Sequence, residues 1–90
     1  MTNSDAQVAE NSMISYLQDC RLKMGVSIRE IREKRGYNQE QLAEIMKVSR
    51  TTISKIESGK FNCSIDYLSK FSWFLEFDFV INERENNKLK

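Results

Sequence analysis

The stretch from Gln39 to Glu57 carries two short runs of apolar residues at helical spacing. This pattern predicts one helix from Gln39 to about Met46, a turn at residues 47–49, and a second helix from Arg50 to about Ser58. The apolar or small positions are Leu42, Ala43, Met46, Val48, Ile53 and Ile56. A small residue at Ala43 lets two steeply crossing helices approach, and Val48 fills the corner between them. The outer face of the second helix stays polar, as in a helix presented to a DNA major groove.

Polar residues that precede the other apolar runs predict further helix starts. The Ser27-x-x-Glu30 spacing is that of a capping box and predicts a helix from Ile28 that ends at Gly36. Asn38, Ser49 and Ser64 are the predicted caps of the next three helices, the last of which runs over residues 65–75. Residues 13–24 also follow a helical period, either as a separate helix with a break at Gly25 or as a register that continues toward the next helix.

The last predicted helix is apolar on more than one face. Ile65, Leu68 and Leu75 are expected to face the domain core, whereas Tyr67, Phe71 and Phe74 point elsewhere, which indicates a second interface. Residues 76–82 then alternate with a period of two and predict a strand. A lone strand has no partner within a helical domain, so it is expected to pair with the same strand of a second subunit or with a different protein. The predicted dimer contacts are Phe71, Phe74, Phe77, Phe79 and Ile81.

These elements divide the chain into a disordered arm (1–12), a helical domain (13–75, core 26–75), a dimerisation strand (76–82) and a flexible tail (83–90). The predicted fold class is all-α, a four- to five-helix repressor-like helix–turn–helix domain followed by that strand. Ninety residues suffice for one small core. No apolar run approaches the roughly 20 residues of a membrane span, and the polar first ten residues show no signal peptide, so a cytoplasmic location is expected.

Charge is unevenly distributed along the chain. Residues 21–60 hold ten basic and five acidic side chains, whereas the remainder holds four basic and eight acidic ones. A basic middle favours a DNA-facing domain. The chain has no His, which counts against catalysis and zinc. Cys20 and Cys63 are isolated and are interpreted as free thiols. We therefore expect no enzymatic activity, no metal and no cofactor.

Two segments, IREIREKRGYNQEQLAEIMKVS and RTTISKIESGKFN, agree in order and spacing with a known family. Through them, residues 26–75 resemble the helix–turn–helix domains of the phage Cro and repressor class, the XRE family. The resemblance implies a four- or five-helix domain that binds double-stranded operator DNA as a dimer and regulates transcription. Lys47 departs from the pattern, because the family usually has Gly at this turn position, where the backbone tends toward positive φ.

The resemblance also implies roles for individual residues. Arg32 and Glu57 match a structural ion pair that ties the first helix to the end of the recognition helix. The expected base-contacting residues are Arg50, Thr51, Ser54 and Lys55. The expected phosphate-contacting residues are Asn38, Gln39, Ser49, Thr52, Lys60 and Asn62.

Two functions are compatible with these features. The leading hypothesis is a homodimeric, sequence-specific regulator, a repressor that binds an inverted-repeat operator with helix 50–58 in the major groove. The alternative is a protein-binding module of the antitoxin type, which neutralises a partner toxin and regulates its own operon. That partner would dock on residues 76–82 or on the segment 1–24.

Overall fold

The computed structural model describes residues 2–84, with side chains from residue 8 onward. Four α-helices follow one another: α1 (Thr2–Lys34), α2 (Gln39–Met46), α3 (Arg50–Glu57) and α4 (Ile65–Leu75). α3 packs on both α2 and α1, and α4 contacts α1 and α2 on the other side of the core. The fold is all-α, and no strand occurs within residues 2–84.

The three shorter helices begin where local polar caps predict. Asn38 Oδ1 accepts from the Gln41 backbone N–H at 2.7 Å, and Gln41 Oε1 accepts from the Asn38 N–H at 2.8 Å, which completes a capping box. Ser49 and Ser64 each accept a hydrogen bond from the backbone N–H three residues on, at 3.1 Å. Each cap satisfies a backbone N–H group only three residues away. These helix starts can therefore be predicted from the local sequence.

The turn between α2 and α3 is left-handed, as predicted. Lys47 ends α2 with φ 59° and ψ 46°, and its backbone N–H reaches the carbonyls of Ala43 and Glu44. A side chain in this region costs about 1 kcal/mol or more. Val48 follows and packs against the buried core.

The first helix differs from the prediction at both of its expected boundaries. Residues 2–12, predicted as a disordered arm, are helical, and the helix runs without interruption through Gly25 and Ser27. Gly25 is buried because α1 crosses α3 there; a Cβ atom would lie 2.5 Å from the carbonyl oxygens of Ile56 and Glu57. Gly25 is therefore required for close helix packing, and of the two alternatives for residues 13–24 the structure has the continuous helix rather than the break. Ser27 lies in the helix interior and caps no helix start.

The core is formed by all four helices. Its buried apolar members are Ile28, Leu42, Ala43, Met46, Ile53, Ile56, Phe71 and Leu75. Two assignments on α4 are corrected: Phe71 is fully buried within the domain, whereas Ile65 is 64% exposed. Arg35 secures the end of α4, since its Nε and Nη2 donate to the carbonyls of Leu75 and Glu76 at 2.8 Å each.

The predicted strand is irregular in the structure, and its first residues pack on the domain instead. Ser72 Oγ donates a hydrogen bond to the Phe77 carbonyl, and Phe77 lies against the core. Further on, Arg84 donates to the Tyr16 hydroxyl at 2.7 Å and lies over its ring. A strand needs a neighbouring strand for its backbone hydrogen bonds, and none is present within residues 2–84. Residues 85–90 of the predicted tail lie outside the described part.

Candidate nucleic-acid interface

The outward side of α3 carries four polar side chains. Arg50, Thr51, Ser54 and Lys55 are all exposed, while Ile53, Ile56 and Glu57 on the other side are buried. Positions i, i+1, i+4 and i+5 share one side of an α-helix, so the four form one continuous strip. Two of them are cations and two are hydroxyls, which together offer donors for guanine acceptors and contacts for thymine methyl groups. These are the predicted base-contacting residues.

The start of α3 is fixed by a hydroxyl pair. Ser49 Oγ caps the helix at the Thr52 N–H, and the two hydroxyl oxygens lie 2.9 Å apart. Ser49 is exposed, and Thr52 is half-buried. Both were predicted to contact phosphate, and both lie at the helix end where backbone N–H groups favour an anion.

A buried ion pair joins α1 to the end of α3. Arg32 Nε donates to Glu57 Oε2 at 2.6 Å and Nη2 donates to Oε1 at 3.0 Å, and their side chains are 7% and 3% exposed. Hydrogen bonding to Glu57 raises the pKa of Arg32 above its ordinary value, so the guanidinium stays charged. Arg32 Nη1 also donates to the Tyr37 carbonyl at 2.7 Å, which ties in the loop before α2.

Gln39 extends this pair toward the surface. Its Nε2 donates to Glu57 Oε1 at 3.0 Å, so the first residue of α2 is held against the last residue of α3. The side chain is half-buried. Its predicted phosphate contact would therefore come from a group whose orientation is already fixed, which lowers the entropy lost on binding.

An open cleft lies beside this network. It is lined by Arg29, Arg32, Asn38, Gln39, Glu40 and Arg50. Arg29 is exposed and makes a surface ion pair with Glu33 at 3.2 Å. Sequence reasoning did not assign Arg29 to the interface, although its position three residues before Arg32 places both on neighbouring turns of α1. The cleft gathers cations from α1 and α3 around the start of α2.

Other predicted site residues lie elsewhere. Lys60 and Asn62 are exposed on the loop that follows α3, outside the cleft. Phe71, predicted as a dimer contact, cannot serve as one because its side chain is fully buried in its own core. Phe74 and Phe77 are half-buried against that core, whereas Phe79 and Ile81 are 43% and 101% exposed.

The two crossing helices, the polar strip on α3 and the flanking cations define a helix–turn–helix DNA-binding protein. The chain belongs to the HTH_3 helix-turn-helix family, whose model matches residues 28–79. It is thus a regulator of the XRE, or Cro and repressor, type, a non-enzymatic class of proteins.

Two individual proteins are similar to this chain. An HTH-type transcriptional regulatory protein of Pyrococcus furiosus is 45% identical over 42 residues, which are 47% of this chain and 13% of that protein. The chain therefore matches only a small part of that relative's length. The restriction-modification controller protein C.AhdI from Aeromonas hydrophila has a similar crystal structure, with a TM-score of 0.63 and 28% identity over 67% of this chain and 91% of that one.

The long first helix is not a membrane span. In the part of the chain that the structure describes, no helix combines the length and apolar character needed to cross a bilayer.

Proposed function

We propose that the protein is a sequence-specific regulator, a repressor that binds an inverted-repeat operator as a homodimer, with α3 in the major groove of each half-site. The observation that carries this proposal is the exposed strip of Arg50, Thr51, Ser54 and Lys55 on a helix held at its end by the Arg32–Glu57 pair. A helix fixed at both ends presents its side chains without a large loss of entropy on binding.

Arg50 is the strongest candidate for reading sequence. It is exposed at the first position of α3 and lines the cleft at the start of α2. Its planar guanidinium can donate two hydrogen bonds to guanine O6 and N7, which Lys55 can contact only as a point charge. Thr51 and Ser54 supply shorter hydroxyl contacts on the same strip.

The phosphate contacts would surround this strip. We assign them to Asn38, Gln39, Ser49, Thr52, Lys60 and Asn62, and the cleft adds Arg29. Such contacts set the position of the protein on the duplex but carry no sequence information. In a dimer the two α3 helices would enter successive major grooves about 34 Å apart.

Selection from random double-stranded DNA tests the proposal. We expect enrichment of an inverted repeat, with affinity that falls steeply as salt rises. Arg50→Ala should then lose about 1–3 kcal/mol of discrimination at one position of each half-site, whereas Lys60→Ala should weaken all sites alike and reduce the salt slope by about one.

Lys70→Ala is the matched control for these variants. It removes the same charge from α4, where Lys70 lies above the ring of Tyr67, and should leave DNA binding unchanged. Equal recovery of all sequences in the selection would contradict the proposed function.

A further inference from the structure

The N-terminal half of α1 projects from the domain with little packed against it. Every side chain from Val8 to Asp19 is exposed. The apolar ones among them, Val8, Met13, Ile14, Tyr16 and Leu17, keep 46–64% of their surface open. A free helix of this length is only marginally stable in water, so a surface that covers these side chains would stabilise it.

The exposed apolar residues continue a line that is buried further along the same helix. Ile14 and Leu17 are three residues apart, and Met24 and Ile28 follow at spacings that keep them on the same side of α1. Ile28 is buried in the core and Met24 packs against it. The same side of α1 is therefore covered from Met24 onward and uncovered at Ile14 and Leu17.

Charged residues stand at both ends of the uncovered part. Glu10 lies four residues before Ile14, and Arg21 lies four residues after Leu17. Neither makes an ion pair with another described residue. The order along this side is thus acidic, apolar, apolar, basic, at spacings of four, three and four. We call these four residues, Glu10, Ile14, Leu17 and Arg21, the α1 stripe.

We propose that the α1 stripe binds the same stripe of a second copy of this chain in an antiparallel helix pair. A two-fold axis between residues 15 and 16 sets Ile14 against the partner's Leu17 and Glu10 against the partner's Arg21. This surface is self-complementary, as a two-fold interface requires. A parallel pair would set each charge against its own copy, which is unfavourable.

The location suits the proposed function, on which this inference rests because an inverted repeat requires a dimer. Ile14 lies 15 residues before Arg29, a distance of roughly 22 Å along the helix. The pairing surface and the DNA-facing cleft are therefore well separated. Residues 77–84 contact α1 at residues outside the stripe, since Phe79 lies near Met24 and Arg84 lies on Tyr16.

Sedimentation equilibrium of the full chain without DNA tests the interface. The wild-type chain should be a dimer. Leu17→Asp should raise the dissociation constant of the dimer by about tenfold or more, because it sets a carboxylate against an apolar partner. Val26→Asp is the control: Val26 is 52% exposed on the opposite side of α1, and its replacement should leave the constant unchanged. Circular dichroism and thermal unfolding verify that both variants keep the folded domain.

Charge reversal tests the antiparallel register. Glu10→Arg and Arg21→Glu should each raise the dissociation constant by about tenfold, since each creates a like-charge contact with the partner. The double variant should restore pairing, and so should mixing the two single variants in equal amounts. Restoration by mixing would locate the ion pair between two chains.

A wild-type chain that stays monomeric, or a dimer insensitive to Leu17→Asp, would overturn the α1 interface. Single charge reversals without effect would overturn the antiparallel arrangement. These results are independent of the DNA selection. A chain that selects an inverted repeat but ignores the α1 variants keeps the proposed function and loses this inference. A chain that pairs through α1 but shows no preference for any DNA sequence keeps this inference and loses the proposed function.

Discussion

Two lengths of the same helix, residues 8–20 and residues 21–34 of α1, lie in opposite surroundings. The second length contains Gly25, Ile28 and Arg32, which are all buried against other helices. The first length contains no buried side chain, although it has similar apolar residues at similar spacing. The spacing of apolar residues along a helix therefore does not show whether another part of the chain covers that side. The buried length differs in containing residues that α3 requires: Gly25 for its small size and Arg32 for its charge.

The largest effect of a substitution should appear at the ion pair that is buried against the second length. Glu57→Gln removes the carboxylate that binds Arg32 through two hydrogen bonds and leaves only the Glu33 carboxylate, at 4.0 Å, near this buried charge. The free energy of unfolding should fall by about 3–5 kcal/mol. The control is Arg29→Gln, which breaks the surface pair with Glu33, in which the Arg29 and Glu33 side chains are 63% and 53% exposed. That change should cost less than about 0.5 kcal/mol. Urea unfolding measures both, and equal effects would show that burial does not distinguish the two pairs.

A second difference should appear at the helix crossing. In an open helix, Gly→Ala stabilises by about 0.8–1 kcal/mol. Gly25→Ala should instead destabilise by about 1–3 kcal/mol, because the added methyl group meets the backbone carbonyls of Ile56 and Glu57 at 2.5 Å, and backbone cannot move aside cheaply.

The matched substitution in the exposed length is Gln18→Ala, which should change stability by less than about 0.5 kcal/mol. Thermal unfolding compares the two variants. A stabilised Gly25→Ala variant would mean that α1 and α3 lie far enough apart to admit a methyl group.

The smallest expected effect is a gain, at the turn. Lys47→Gly removes the cost of a left-handed side chain and should stabilise the folded domain by about 1 kcal/mol. The melting temperature should rise by about 4–8 °C. Lys47→Ala keeps the unfavourable Cβ and should give no gain, whereas Gln18→Gly should reduce the helicity of the exposed length. An unchanged melting temperature for Lys47→Gly would argue against a left-handed turn.

The predictable part of the fold is the part that local interactions determine. α2, the turn, α3 and α4 begin and end within a residue of their predicted positions. Asn38, Ser49 and Ser64 supply caps within three residues of the groups they satisfy. The Arg32–Glu57 pair lies 25 residues apart in sequence, and it was inferred from family resemblance because no local pattern points to it.

The errors arise where the outcome depends on distant neighbours. Ser27 and Glu30 have capping-box spacing, but the same residues fit a helix interior, and only the position of α3 explains Gly25. On α4, both Ile65 and Phe71 are apolar, and the placement of the other helices decides that Phe71 is the buried one. Residues 76–82 alternate as a strand would, but within residues 2–84 no neighbouring strand is present to pair with them. In the site, Arg29 joins the cleft only because the fold places α1 beside the start of α2 and the start of α3.

The uninterrupted course of α1 through Gly25 has a consequence for rotation. Because no hinge separates the exposed length from the buried one, the direction of the α1 stripe is fixed relative to α3 by the number of residues between them. One residue inserted near position 22 would turn the stripe by about 100° about the helix axis, whereas seven would return it to within about 20°. The number of α1 residues between the stripe and Gly25 thus sets the angle between the stripe and α3.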